Sequence, residues 1–144
     1  MIEGIKPIVT WTDDWSVGVS SIDDDHRHLV ALIQKLFHSM MTEQGTDFIN
    51  AVFIELIEYT KTHFSREESV FEKYGFDELD HHKILHQQLI DEVLKEGSHI
   101  LDKGKEQDLS FELLDFLKNW LVNHIIKEDL KFKSFLAKHN IQAK

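Results

Sequence analysis

The chain has no cysteine and only one proline, Pro7, in 144 residues. The first absence excludes disulfides, thiolate-held zinc, iron–sulfur clusters and covalently attached haem, so any metal must be bound through nitrogen and oxygen. The second leaves everything after Pro7 free to run in long helices. No stretch approaches the roughly 18 consecutive apolar residues of a membrane span. The start, MIEGIKPIVTWTDDW, has no basic segment leading into an apolar one. The expectation is a soluble, cytoplasmic protein with no membrane insertion. Basic residues are also scarce: 16 Lys and Arg stand against 26 Asp and Glu, a formal net charge of −10. That balance argues against nucleic acid and anionic membrane surfaces as partners.

The length fits a single domain over residues 1–144 with one sizeable core. Beyond the first twenty residues, apolar positions recur at spacings of three and four, the helical period. The first helix is expected over Ser21 to Met41, with Ile22, Leu29, Ile33, Leu36 and Met40 facing inward. Gln44, Gly45 and Thr46 interrupt the pattern, with Thr46 as the N-cap of a second helix that stops near Tyr74, before Gly75. A third helix is expected from Glu78 to Leu101, followed by Gly104 and a polar turn, and a fourth from about Ser110 through Leu113, Leu117, Trp120 and Leu121. Short connections make successive helices antiparallel. The expected fold is therefore all-α: an up-down-up-down four-helix bundle over 21–129, with an N-terminal arm at 1–20. A short C-terminal helix in the 130–144 tail is carried by Phe132, Phe135 and Leu136.

Polar residues interrupt the inward stripes of these helices. The second reads Val52, Leu56, Tyr59, His63, Glu67, Val70, Tyr74, and the third reads His82, His86, Leu89, Val93. In HHKILH, residues 81–86, His82 and His86 are one turn apart on one face and His81 points elsewhere. Of the ten histidines, His28, His38, His81, His99 and His139 are expected on solvated or boundary faces. The others converge. In an antiparallel bundle the first helix starts, the second ends, the third starts and the fourth ends at the same pole. At about 1.5 Å per residue, His26, His63, Glu67, His82, His86, His124 and Asp129 all lie within roughly 15 Å of it.

Five histidines and two carboxylates buried at one depth cost on the order of one to several kcal/mol each unless something compensates them. Metal coordination is that compensation. Seven ligands exceed one tetrahedral ion, so two ions are indicated, with the carboxylates as bridges. The donor set suits iron, and zinc, copper and manganese remain open on softness alone. His124 and Asp129 are five residues apart, about 140° on a regular α-helix. A π-helical widening there is the expectation, because it brings positions i and i+5 together.

Four stretches, VGVSSIDDDHRHL (17–29), HFSREE (63–68), HHKILH (81–86) and WLVNHIIKED (120–129), resemble the hemerythrin family in order and internal spacing, and the single-domain bacterial hemerythrins in particular. The resemblance implies two iron ions with a bridging oxo or hydroxo group. His82, His86 and His124 would hold one iron, His26 and His63 the other, and Glu67 and Asp129 would bridge the pair. It implies reversible dioxygen binding at the open position of the second iron, for storage, delivery or sensing. Phe64, Trp120, Leu121 and Ile125 would line the oxygen pocket. Asp25 stands where the family often has glutamine, and Phe71 where methionine is frequent. Asp23 reads equally as a group supporting the ligands or as an ordinary carboxylate at a helix N-terminus.

A di-iron oxidase, or an enzyme handling peroxide or nitric oxide, is the first rival. Ferritin-like enzymes pair Glu-x-x-His motifs from different helices. Here Glu78 with His81 and Glu96 with His99 share one helix, about 27 Å apart, and cannot meet. The nitrogen-rich set favours oxygen binding without catalysis. A free-standing oxygen or redox signalling module is the second rival; an oxygen-consuming or signalling partner would be unidentified.

Overall fold

The computed structural model describes residues 7–42, 44–101 and 111–143. After a one-turn 3-10 helix at Asp13–Trp15 come helices α1 (Ser20–Met41), α2 (Thr46–Lys73), α3 (Leu79–Leu101) and α4 (Phe111–Asn123). A π-helical turn over His124–Asp129 leads directly into α5 (Leu130–Lys138). α1 packs on α2 and α4, and α3 packs on the same two, so the helices form a four-cornered up-down-up-down bundle. Among the described residues, no helix is long and apolar enough to cross a membrane.

The expected helix boundaries fall within a residue of those observed, with one correction at a cap. Gly45, not Thr46, is the N-cap of α2: its extended backbone (φ −61°, ψ 156°) precedes the helix and its carbonyl accepts from Ile49 N–H at 3.1 Å. Thr46 is the first helical residue. Gly75 ends the α2 region with a positive φ of 70°, a backbone conformation that side-chain-bearing residues avoid. The turn after the third helix, with Gly104, and the start of the fourth at Ser110 lie outside the described residues.

Among the described residues, two apolar layers make up the core. The larger, including Leu29, Ile33, Leu36, Phe53, Leu56, Val93, Leu114 and Leu117, fills most of the bundle. The smaller joins Val17, Val19 and Ile22 to Phe71, Phe76, Phe132 and Leu136, so the arm, the end of α2 and α5 close one pole together. Asp23 holds the arm in place: Ser16 Oγ donates to its Oδ2 at 2.6 Å and Val17 N–H to its Oδ1 at 2.9 Å. That contact resolves the ambiguity over Asp23, whose bonds run to the arm.

Candidate metal centre

The inward polar residues meet beside the smaller layer. His26 comes from α1, His63 and Glu67 from α2, His82 and His86 from α3, and His124 and Asp129 from the π-helical turn; all seven are buried. His63 and Glu67 share one face of α2, as do His82 and His86 on α3, because residues four apart stack on a helix. The π-helical turn puts His124 and Asp129 on one side, with Nε2 to Oδ1 at 3.1 Å, which matches the expected widening.

Potential ligand atoms fall into two groups that share both carboxylates: Glu67, His82, His86, His124 and Asp129 form one, and His26, His63, Glu67 and Asp129 the other. Glu67 Oε1 lies 3.1 Å from His82 Nε2 and 2.9 Å from His86 Nε2, while its Oε2 lies 3.3 Å from His63 Nε2 and 3.5 Å from His26 Nε2. Asp129 divides the same way, with Oδ1 at 2.9 Å from His82 Nε2 and Oδ2 at 2.8 Å from His26 Nε2. Each carboxylate thus offers one oxygen to either group.

Several of these atoms are close without bonding to each other. His26 Nε2, His63 Nε2, His124 Nε2, Glu67 Oε2 and Asp129 Oδ2 are buried and have no hydrogen-bond partner among the described residues. Their separations are short, with the candidate ligand atoms of each group within 4.8 Å of one another. Orphaned buried donors and acceptors each cost about 1–3 kcal/mol, and a cation at the common point satisfies several at once. Imidazole nitrogens with carboxylate oxygens fit a transition metal such as iron.

The charges agree with that fit. Burial opposes ionisation of Glu67, yet the charge on His63 and contacts with His124, His26 and His63 hold it well below its ordinary value. Burial and the neighbouring Glu67 charge oppose ionisation of Asp129; the charge on His124 and contacts with His124 and His26 outweigh them and hold it low as well. Burial likewise opposes charging the histidines, and the two carboxylates reverse the result. His63 is pushed up to about 9, His82 to about 9 and His124 to about 10, and His26 is raised too. Two buried anions attract whatever cation is available, proton or metal.

Around the cluster, two further carboxylates reach ring nitrogens. His63 Nδ1 lies 3.0 Å from Asp25 Oδ2, and His86 Nδ1 lies 2.7 Å from Glu68 Oε2. Asp25 also accepts from Arg66 and Tyr59. Burial would raise its pKa, but these bonds prevail and hold its carboxyl well below the usual carboxylate range. Burial and the bond to Asp25 push the Tyr59 hydroxyl up to about 12. Sequence reasoning missed Glu68, Tyr59 and Arg66 in this setting. The signal was present: Tyr59, His63 and Arg66 follow the i, i+4, i+7 face of one helix, and Glu68 adjoins Glu67.

Phe64 stacks on His86 with ring centroids 3.8 Å apart, and Phe71 meets His82 edge-on at 4.8 Å. Phe64, Trp120 and Leu121 come together with Leu29, Thr60 and His124 around a cavity of about 10 Å³. The Thr60 hydroxyl that borders it is turned away, donating to Leu56 O at 2.7 Å. The side chain of Ile125 lies outside the described residues, as does that of His99. His28, His38, His81 and His139 are exposed, as expected.

Fold and site define a helical-bundle protein with a buried histidine–carboxylate cluster. The family model for the hemerythrin HHE cation binding domain matches residues 17–136, so the chain belongs to the hemerythrin family. Bacteriohemerythrin of Clostridium acetobutylicum is 32% identical over 126 residues, covering 85% of this chain and 96% of that one. Bacteriohemerythrin of Stenotrophomonas maltophilia is 30% identical over 132 residues, covering 92% and 84%. A crystal structure of wild-type hemerythrin superimposes with a TM-score of 0.78 at 27% identity, covering 90% of this chain and 98% of that one. Family and cluster together support an iron-binding, oxygen-related role.

Proposed function

We propose that this chain binds dioxygen reversibly at a pair of iron ions held by His26, His63, Glu67, His82, His86, His124 and Asp129. The observation that carries the reading is the division of the two carboxylates: Glu67 turns Oε1 toward His82, His86 and His124 and Oε2 toward His26 and His63, and Asp129 turns Oδ1 toward His82 and His124 and Oδ2 toward His26. Two ferrous ions with a bridging oxo or hydroxo group would supply the electrons that dioxygen takes up on binding and returns on release.

The chain's own residues supply the rest. His82, His86 and His124, with the two carboxylates, make a five-residue set, and His26 and His63 with the same carboxylates make a four-residue set. For metals that favour about six ligands, the smaller set leaves more room for an exogenous one. Phe64, whose ring lies 5.7 Å from that of His63, joins Trp120 and Leu121 in walling a small cavity beside His124 with apolar surface, and exclusion of water there disfavours the escape of charged oxygen products. Trp120 is fixed in its place by donating Nε1–H to Leu89 O at 3.2 Å. Ionised Asp25 can only accept, so the proton on the His63 ring sits at Nδ1 and Nε2 is left to face the cluster. Glu68 does the same for His86. The nitrogen-rich set of five histidines with two carboxylates supports binding over oxidative catalysis.

Anaerobic loading with ferrous iron, followed by cycles of oxygenation and deoxygenation under a visible spectrometer, tests the reading. Full return of the spectrum over repeated cycles is the expected result. Irreversible oxidation at the first exposure, with peroxide release or substrate turnover, contradicts it.

A further inference from the structure

Asp25 is a buried carboxylate whose four hydrogen bonds are all accounted for. Its Oδ1 accepts from Tyr59 Oη at 2.7 Å and from Arg66 Nη2 at 3.0 Å; its Oδ2 accepts from Arg66 Nε at 2.8 Å and lies 3.0 Å from His63 Nδ1. We propose that Asp25, clamped by Arg66 and Tyr59, is a positioning residue that holds the His63 imidazole and thereby sets the metal affinity of the two-histidine side independently of the three-histidine side. The proposal rests on the two-metal reading above.

The asymmetry of ring support makes the effect selective. The two-histidine side has two imidazoles, and among the described residues His26 Nδ1 has no hydrogen-bond partner, whereas His63 is held through its far nitrogen. The three-histidine side has its own anchor, His86, held by Glu68 at Nδ1 and stacked on Phe64. A loosened His63 ring therefore affects one metal position and leaves the other with its support intact.

Arg66 and Tyr59 make Asp25 rigid. The guanidinium presents two parallel N–H groups to the two oxygens, the geometry that fixes a carboxylate in direction as well as place. Half of the Arg66 side chain faces solvent, so the clamp spans the distance from the surface to the buried ring. The Tyr59 bond adds a third direction, and with His63 the carboxylate has its full complement of partners. Because the Arg66 charge offsets that of Asp25, the ring is oriented without a third net negative charge beside Glu67 and Asp129. A metal-bound histidine backed in this way typically loses about 10–100-fold in metal affinity when the backing group is removed.

The test is a metal titration of the full-length, metal-stripped chain with cobalt(II), followed by calorimetry and by the visible cobalt spectrum. Wild type is expected to take up two equivalents. Asp25→Ala is expected to weaken one equivalent about 10–100-fold and leave the other unchanged. Glu68→Ala is expected to weaken the opposite one. Asp25→Ala should add nothing in a His63→Ala background and should retain its effect in a His86→Ala background, which separates positioning from a general loss of structure. Asp25→Asn, which keeps an acceptor for the ring, should recover part of the affinity. Should Asp25→Ala fail to fold, Arg66→Gln and Tyr59→Phe carry the test, each weakening the same equivalent to a smaller degree. The inference is overturned if wild type binds two equivalents and the Asp25 and Arg66 variants leave both unchanged or weaken both equally. A wild type that binds fewer than two overturns the two-metal reading and this inference with it.

Discussion

His26 Nε2 and Asp129 Oδ2 lie 2.8 Å apart in the bundle interior, and neither atom has a hydrogen-bond partner among the described residues. One residue comes from the first turns of α1 and the other from the π-helical turn after α4, so the whole bundle must assemble before they meet. Such proximity without a hydrogen bond fits two donor atoms that share a cation. Removing Asp129 takes one residue from each ligand group, leaving four on one side and three on the other. Asp129→Asn should therefore weaken metal binding on both sides, and more on the two-histidine side. Equilibrium dialysis against cobalt or iron measures it.

The raised histidines make the metal-stripped protein sensitive to alkali. A histidine whose folded pKa lies above its ordinary 6.5 contributes stability that is complete below that value and is lost as pH rises through the folded one. For His63, His82 and His124 the loss falls between pH 6.5 and about 9 to 10. The depressed carboxylates act oppositely: their contribution is present above the ordinary 4.5 of Glu67 and 3.8 of Asp129 and disappears on acidification. Urea unfolding across pH is expected to show highest stability of the stripped chain between these windows. The metal-loaded chain should keep its stability further into the alkaline range, because metal replaces the protons.

Asp23 ties the arm to the bundle through bonds from Ser16 Oγ and Val17 N–H. Asp23→Ala leaves the buried Val17 N–H without its acceptor. A hydrogen bond to a charged group contributes about 1.5–3 kcal/mol, so thermal unfolding should show a loss of roughly 2 kcal/mol. Metal stoichiometry should be unchanged, since none of the seven converging residues bonds to Asp23.

Gly97 sits in α3 against the ring of Phe53, where an added Cβ would come within 2.5 Å of two ring carbons. Phe53 is fully buried, so the ring cannot swing aside into solvent. Gly97→Ala gains about 1 kcal/mol of helix propensity and loses about 1–3 kcal/mol to overpacking. Net destabilisation of the order of 1 kcal/mol is expected in a denaturant titration.

Much of this architecture was legible in the residues. The stripes through Leu29, Ile33 and Leu36, or Leu113 and Leu117, define helix faces by period alone. The inward polar residues were legible for the same reason: His63 with Glu67 and His82 with His86 repeat the four-residue step. Even the π-helical turn followed from one discrepancy, the five-residue gap between His124 and Asp129. The contacts across helices were less accessible. Nothing in the linear order of Asp25, Tyr59 and Arg66 states that α1 and α2 approach closely enough for one carboxylate to hold two partners and a ring. Cap geometry also escaped, because Gly45 and Thr46 are both acceptable N-caps and the choice depends on backbone angles.

The most direct test of the central claim is to count iron bound per chain in the anaerobically loaded wild-type protein and then record its electron paramagnetic resonance after oxidation. Two irons per chain, with no signal from isolated ferric ions because the bridged pair couples magnetically, is the predicted result. A single tightly bound ion, or two that behave independently, would contradict the shared roles of Glu67 and Asp129.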